Sequence, residues 1–128
     1  MDEKLKKHGS ISWSELMTSD VAGAKKFYGE LFGWKFEDTP MENMDYTVVK
    51  INGDEAAGIM PFPPDSPPMP PNWGIYITVD DVDAVAEKAT AMGAKIAVPL
   101  MDVPDVGRFC VLEDPQGAYI SIITYTNN

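Results

Sequence analysis

The strongest constraint on the fold is an internal repeat. Residues 13–34 (WSELMTSDVAGAKKFYGELFGW) read as a short alternating strand, an Asp at a helix start, an amphipathic helix and a terminating glycine. A similar stretch, GIYITVDDVDAVAEKATAMGAK, follows about sixty residues later, and in it Asp81 matches Asp20 and Gly93 matches Gly33. Two copies of one strand–helix unit predict a chain built from two similar halves.

The first copy shows both periodicities clearly. Alternation from residue 11 places Trp13, Glu15 and Met17 on one face of a strand and Ser12 on the other. Asp20 can accept hydrogen bonds from the free N–H groups of a helix's first turn. Apolar residues then recur at intervals of three and four, which predicts a helix that packs its apolar face into a core against the sheet. That face comprises Val21, Ala24, Phe27, Tyr28, Leu31 and Phe32.

Further strands complete each half. The strand-like segments are 34–37, 46–51 and 56–60 in the first half, and 74–79, 95–98, 108–113 and 118–125 in the second. Between two of them, Asn52-Gly53 suits a tight hairpin, because both central residues of a type I′ turn need positive φ. Each half therefore has the order β-α-β-β-β.

A proline-rich segment separates the halves. Residues 61–72 (PFPPDSPPMPPN) hold seven of the eleven prolines, which excludes a helix or a central strand and predicts a semi-rigid connector. We expect an N-terminal tail over 1–10, a first module over 11–60, the connector over 61–72 and a second module over 73–126.

Charge and composition exclude several classes of partner. The formal net charge is −10 and the sequence pI is about 4.3, so the surface repels phosphate backbones and anionic lipids, and we expect no nucleic-acid or membrane partner. No apolar run reaches the roughly eighteen residues that span a bilayer, which favours a cytoplasmic location. The single Cys110 excludes an internal disulfide, and the only histidine, His8, falls in the tail.

These features resemble the vicinal oxygen chelate superfamily, which contains glyoxalase I, bleomycin-resistance proteins and extradiol dioxygenases. The resemblance covers residues 10–126 and implies an α+β fold, in which two β-α-β-β-β modules form a curved eight-stranded mixed sheet around a ligand-binding cleft. It is carried by Glu15-Leu16 with Asp20, Phe27-Tyr28, Phe32-Gly33-Trp34, Val79-Asp80-Asp81-Val82-Asp83 and Asp114-Pro115-Gln116-Gly117-Ala118.

The resemblance implies that enzymes of this superfamily bind a divalent metal through His or Glu side chains from the first and fourth strands of each module. The first-strand positions here are Trp13 and Gly74, and the last-strand position is Ser121. The remaining position falls within Gly58, Ile59 and Met60. None of these side chains suits the metal, so we expect no metal or other cofactor, with Glu15 and Glu113 left as the one noncanonical donor pair.

The cleft face implied by the resemblance is apolar and aromatic with a few polar points, the usual composition of a small-molecule site. Alternatively, these side chains simply fill a core. Arg108 suits a carboxylate ligand at the cleft mouth, although an acidic residue of the chain is the competing partner. The candidate ligand-binding residues are Trp13, Glu15, Met17, Tyr76, Thr78, Tyr119, Ser121 and Arg108.

The sequence therefore favours a glyoxalase/bleomycin-resistance-like protein that binds a small, partly aromatic molecule without a metal and has no catalytic residue. One alternative is a metal-dependent lyase, isomerase or dioxygenase of glyoxalase type with noncanonical ligands. Another is a structural dimeric scaffold with a filled cleft. The resemblance also implies a homodimer.

Overall fold

A computed structural model describes residues 2–41, 44–63 and 66–126. The expected tail, first module and connector each include a position outside these ranges, namely Met1, 42–43 and 64–65. The elements in chain order are β1 (Ile11–Met17), α1 (Val21–Phe32), β2 (Lys35–Met41), β3 (Met44–Ile51), β4 (Asp54–Met60), β5 (Asn72–Thr78), α2 (Val82–Ala91), β6 (Lys95–Val103), β7 (Gly107–Glu113) and β8 (Tyr119–Tyr125).

Both helices begin and end where the sequence signals indicate. The Asp20 carboxylate accepts from the Gly23 backbone N–H at 2.9 Å, and the Asp81 carboxylate accepts from the Ala84 backbone N–H at 3.1 Å. Each cap satisfies a donor that the first helical turn leaves free. At the end of α1, Gly33 takes a left-handed conformation with φ of 75°, which only glycine adopts without strain.

The sheet confirms the expected α+β architecture. Its eight strands run in the order β2-β3-β4-β1-β5-β8-β7-β6. The two modules join where β1 pairs antiparallel with β5, and within each module the first strand pairs parallel with the fourth. The sheet is therefore mixed and open, with β1 and β5 at its centre and both helices available to cover one face.

The interior divides into three groups of side chains. Leu16, Val49, Ala57 and Ile59 lie beneath α1, whereas Val79, Val82, Ala86, Cys110, Leu112 and Ile122 lie between α2 and the sheet. A third group occupies the opposite face of the sheet and includes Met17, Met60, Tyr76, Phe109 and Ile123. This third group therefore lies on the face of the sheet that is turned away from the helices.

The apolar face predicted for α1 is covered less than expected. Phe27, Leu31 and Phe32 are between 56% and 58% exposed, and α1 contributes no buried side chain. The prediction that Phe27 packs into the helix–sheet core is therefore wrong. Tyr28, by contrast, is half-buried and packs against the group of buried side chains beneath α1. It also stacks on Trp34, with ring centroids 5.6 Å apart, and its hydroxyl accepts from the Trp73 indole N–H at 3.0 Å.

The segment before β1 is anchored to the second module. A short 3₁₀-helix spans Glu3–Lys6, and the Thr78 hydroxyl donates to the Leu5 carbonyl. The Gly9 backbone N–H donates to the Thr78 carbonyl at 2.7 Å, and His8 Nδ1 accepts from the Asp80 backbone N–H at 3.0 Å.

Of the helices described, none has the length and apolar character needed to cross a lipid bilayer.

Candidate functional site

A cavity of about 500 Å³ opens on the sheet face away from the helices. Aromatic side chains from both modules form much of its wall, namely Trp13, Tyr46, Tyr76, Phe109 and Tyr125. Its size lies in the range of small-molecule sites, about 300–1,000 Å³. Its remaining lining residues are Lys6, Glu15, Thr39, Val48, Glu55, Met60, Val103, Asp105, Val106, Ile123 and Thr126.

A buried carboxylate forms the polar centre of this cavity. Glu15 lies in β1 and is only 4% exposed. Its Oε2 accepts from the Tyr46 hydroxyl at 2.7 Å, and its Oε1 accepts from the Tyr76 hydroxyl at 2.5 Å. The Trp13 indole N–H donates to the Tyr46 hydroxyl at 2.8 Å. Four cavity side chains from three strands thus form one hydrogen-bonded network.

Burial sets the electrostatics of this network. Removal from water raises the pKa of Glu15, and the hydrogen bonds from Tyr76 and Tyr46 oppose that rise. Burial and the neighbouring carboxylate also raise the pKa values of Tyr46 and Tyr76. Both phenols therefore keep their protons at neutral pH and serve as donors to Glu15.

A β-bulge adjusts the wall next to this network. The pairing of β1 with β5 shifts between Ile11 and Trp13, which interrupts the strict alternation of side chains. Ser12, expected on the opposite face from Trp13, lies with its Oγ 2.7 Å from the Tyr125 hydroxyl. The alternation expected for Ser12 is therefore wrong, and this buried hydroxyl supports a side chain of the cavity wall.

Only part of the predicted site comes together in the cavity. Trp13, Glu15 and Tyr76 line it, whereas Met17, Tyr119 and Ser121 line a separate recess on the other side of Glu15 and Tyr76. That recess measures about 20 Å³. It has room for about one water molecule, too little for an organic ligand.

The other two candidates are engaged elsewhere. Thr78 is buried, and its hydroxyl is directed to the Leu5 carbonyl rather than into the cavity. Arg108 donates to Asp83 of α2 at 3.0 Å and to Asp102 at 3.3 Å. The structure thus gives Arg108 the acidic partners that the sequence left as the alternative to a ligand. Cys110, on the same side of β7, is buried, and its burial raises the pKa of the thiol to about 11.

The positions that correspond to metal ligands carry a different arrangement. Gly58 of β4 has no side chain, and the Tyr46 hydroxyl occupies the space that a Cβ there would fill. The Trp13 indole nitrogen has no lone pair for a metal, because it can only donate, and its N–H bonds to that same hydroxyl. Within the described ranges no three His, Cys, Asp or Glu side chains converge to hold a metal ion. The residues present therefore do not fit the divalent metal that the fold implies.

Sequence reasoning missed three of the aromatic cavity residues, Tyr46, Phe109 and Tyr125. Tyr46 and Val48 are two residues apart and share one face of β3, but the sequence does not show that β3 lies two strands from β1. The same holds for Phe109, which lies on the same face of β7 as the buried Val111. Each strand shows its own alternation of side chains, but the sequence does not show the strand order that brings these faces together.

Comparisons of the sequence with known proteins identify relatives. The family model described as Glyoxalase/Bleomycin resistance protein/Dioxygenase superfamily matches residues 10–122. CFP32 of Mycobacterium tuberculosis, which carries a provisional glyoxylase name, is 41% identical over 119 residues, covering 91% of this chain and 46% of its own. The anthracycline biosynthesis protein DnrV of Streptomyces peucetius is 30% identical over 127 residues, covering 89% and 46%.

The chain spans about half the length of these two relatives. It spans nearly all of a third, a glyoxylase-like domain-containing protein of Didymella fabae, which is 30% identical over 123 residues and covers 91% of this chain and 94% of its own. A region similar to this chain thus makes up about half of two longer proteins and most of a shorter one.

Solved structures share the fold. Methylmalonyl-CoA epimerase from Mycobacterium tuberculosis superposes with a TM-score of 0.61 at 13% identity, covering 91% of this chain and 90% of its own. Homoprotocatechuate 2,3-dioxygenase from B. fuscum superposes with a TM-score of 0.59 at 15% identity, covering 96% of this chain and 35% of its own. At these identities the likeness concerns the fold alone.

Proposed function

Because the chain belongs to the Glyoxalase/Bleomycin resistance protein/Dioxygenase superfamily, we propose that it binds a small, partly aromatic molecule in the cavity around Glu15, and that it does so without a metal ion. The observation that carries this proposal is the combination of volume and wall: about 500 Å³ bounded by aromatic side chains around one polar centre. Flat aromatic walls supply contact area, and a few fixed polar groups orient the ligand.

The donor chemistry supports binding without a metal. Trp13, Gly74 and Ser121 stand at family ligand positions, and the Tyr46 hydroxyl fills the space beside Gly58. Glu15 and Glu113 belong to no group of three donors among the described residues, and two carboxylates alone make a weak metal site. We therefore expect ligand binding to be unchanged after dialysis against EDTA.

The name of one relative agrees with an aromatic ligand. Anthracyclines contain fused aromatic rings, and one relative is named for their biosynthesis. Because CFP32 and DnrV are about twice as long as this chain, the activity of those whole proteins is not carried over to it.

A thermal-shift screen with a library of aromatic compounds tests the proposal. We expect at least one compound to raise the melting temperature of the wild type, and we expect Trp13→Ala to abolish that rise. Trp73→Ala is the matched control, because Trp73 is 40% exposed and belongs to the aromatic cluster beside α1. A rise that survives Trp13→Ala and disappears in Trp73→Ala would move the binding site away from the cavity.

A further inference from the structure

The network around Glu15 is arranged for an ionised carboxylate. An indole N–H is a donor only, so the Trp13 bond to Tyr46 makes that phenol oxygen an acceptor. The Tyr46 proton is thereby directed to Glu15, 2.7 Å away, and Tyr76 offers a second phenol on the other carboxylate oxygen. Two donors on two oxygens match a group that carries negative charge and no proton.

The Glu15 carboxylate has no counter-charge in the part of the chain that the structure describes. None of the ion pairs found there includes Glu15, and Lys6, the cation on the cavity wall, pairs with Glu3 at 3.4 Å. Burying an ionised carboxylate is costly unless it is paired, which is why buried charges in proteins ordinarily have partners. The hydrogen bonds from the two phenols offset part of that cost. Glu15 also lines the open cavity, where a bound ligand can offset the remainder.

The cavity walls favour a positive charge as well. The faces of aromatic rings attract cations, and Trp and Tyr do so most strongly. The other carboxylates on the wall are Glu55 and Asp105, and the whole chain carries a net charge of −10. An anionic ligand would meet repulsion from every one of these groups.

We propose that the ligand carries a positively charged nitrogen, an organic ammonium or guanidinium group, which pairs with Glu15 inside the aromatic wall. This inference rests on the proposed function and specifies its ligand class. A bare divalent cation fits less well, because no group of three His, Cys, Asp or Glu donors exists among the described residues. The cationic group of the ligand supplies the positive charge that a divalent metal supplies in metal-binding proteins with this fold.

Two probes of the same shape test the inference by calorimetry at neutral pH. The first is the cation 4-hydroxyphenyltrimethylammonium, and the second is its neutral isostere 4-tert-butylphenol. We expect the cation to bind the wild type at least about tenfold more tightly, the size of a desolvated cation–aromatic and ion-pair contact. Equal affinities, or tighter binding of the neutral probe, would overturn the inference and leave the proposed function standing.

A charge-removing variant assigns the preference to one residue. Glu15→Gln keeps the shape of the side chain, and we expect it to bring the affinity for the cation to within about twofold of that for the neutral probe. Glu55→Gln and Asp105→Asn, which remove the other carboxylates of the wall, serve as matched controls and keep most of the preference. A preference that persists in Glu15→Gln, or disappears equally in the controls, would contradict the role of Glu15.

A pH series tests the same inference by titrating Glu15 itself. Protonation of Glu15 on acidification removes its charge, so the cation should lose affinity while the neutral probe keeps its own. The charged and titratable groups that face Glu15 around the cavity are Tyr46, Tyr76, Tyr125, Lys6, Glu55 and Asp105. Repeating the series in Glu55→Gln and Asp105→Asn separates these carboxylates from Glu15. A preference that is constant with pH overturns the inference. So does binding of neither probe while the library yields a neutral ligand that depends on Trp13.

Discussion

The two modules share their local signals but differ in how their helices are covered. In the second module, α2 buries Val82 and Ala86 against the sheet. In the first, α1 leaves Phe27 and Leu31 more than half exposed. The same cap and the same apolar spacing therefore specify a helix without specifying how fully its apolar face is buried.

The modules also contribute differently to the cavity. The first supplies the buried carboxylate and two of its network partners, Trp13 and Tyr46, whereas the second supplies Tyr76 and much of the remaining aromatic wall. Near-symmetric halves thus build an asymmetric site. The Glu15 carboxylate belongs to the first module, whereas the aromatic wall around it comes from both modules.

The largest expected effect concerns two glycines, Gly58 in β4 of the first module and Gly74 in β5 of the second. A Cβ at Gly58 would overlap the Tyr46 hydroxyl, whereas a Cβ at Gly74 would meet nothing closer than Asn72 Oδ1 at 3.8 Å. We expect Gly58→Ala to lower the free energy of unfolding by about 3 kcal/mol, through overpacking and a lost hydrogen bond to a buried charge. Urea denaturation measures this.

Gly74→Ala is the control for that comparison, and we expect it to change the free energy of unfolding by less than about 0.5 kcal/mol. Equal losses in the two variants would show that Tyr46 does not depend on the space beside Gly58.

The second effect compares the first residue of each helix. Val82 is 2% exposed, whereas its counterpart Val21 is only partly buried. We expect Val82→Ala to lower the free energy of unfolding by about 2 kcal/mol, since removing a fully buried Val side chain forfeits about 1.5–3 kcal/mol. Val21→Ala should cost less than about 1 kcal/mol. The reverse order would mean that α1 is the better-packed helix.

The third effect is a pH dependence that belongs to the first module. The folded state raises the pKa of Glu15 above its ordinary value of 4.5, so between the unfolded and folded pKa values the folded protein binds more protons than the unfolded chain. Stability from this group is therefore full below about pH 4.5 and falls as the pH rises through that window. We expect Glu15→Gln to be more stable than the wild type at neutral pH, with the advantage shrinking on acidification.

Denaturation at a series of pH values measures this difference, and Glu55→Gln, at an exposed carboxyl of the same cavity, controls for the loss of a negative charge. An advantage of Glu15→Gln that does not change with pH would argue that burial of the charge is not its cause.

The smallest expected effect concerns Arg108 of the second module. Its guanidinium already pairs with Asp83 and Asp102 at the surface, and exposed pairs contribute little to stability. We expect Arg108→Gln to leave affinity for any cavity ligand within about twofold of the wild type, as measured by calorimetry. A large loss of affinity would restore Arg108 as an anchor for an anionic group.

Much of the fold could be predicted because its signals are local. The caps at Asp20 and Asp81, the closing Gly33 and the alternation through Trp13 and Glu15 each depend on residues close in sequence. Phe27 was placed incorrectly because spacing shows that a helix has an apolar face but not what covers it. The homodimer implied by the resemblance stays a prediction.

The site was predictable only in part because its contacts join distant strands. Glu15 was named as a polar point of the cleft, but the donors that hold it come from β3 and β5, 31 and 61 residues away. Ser121 was assigned to the same cleft by its strand position, yet it lies on the small recess behind Tyr76. Register predicts which face a side chain occupies, whereas the partition of that face into two spaces depends on how large side chains pack.

The most direct test of the central claim uses the three tryptophans of the chain as reporters in a ¹H–¹⁵N correlation spectrum. Trp13 lines the cavity and donates its indole N–H to Tyr46, whereas Trp34 and Trp73 pack together beside α1. On titration with a ligand from the screen, the indole resonance of Trp13, assigned with Trp13→Phe, should move while the other two stay in place. Movement of the Trp34 and Trp73 resonances with a stationary Trp13 resonance would contradict a ligand site at Glu15.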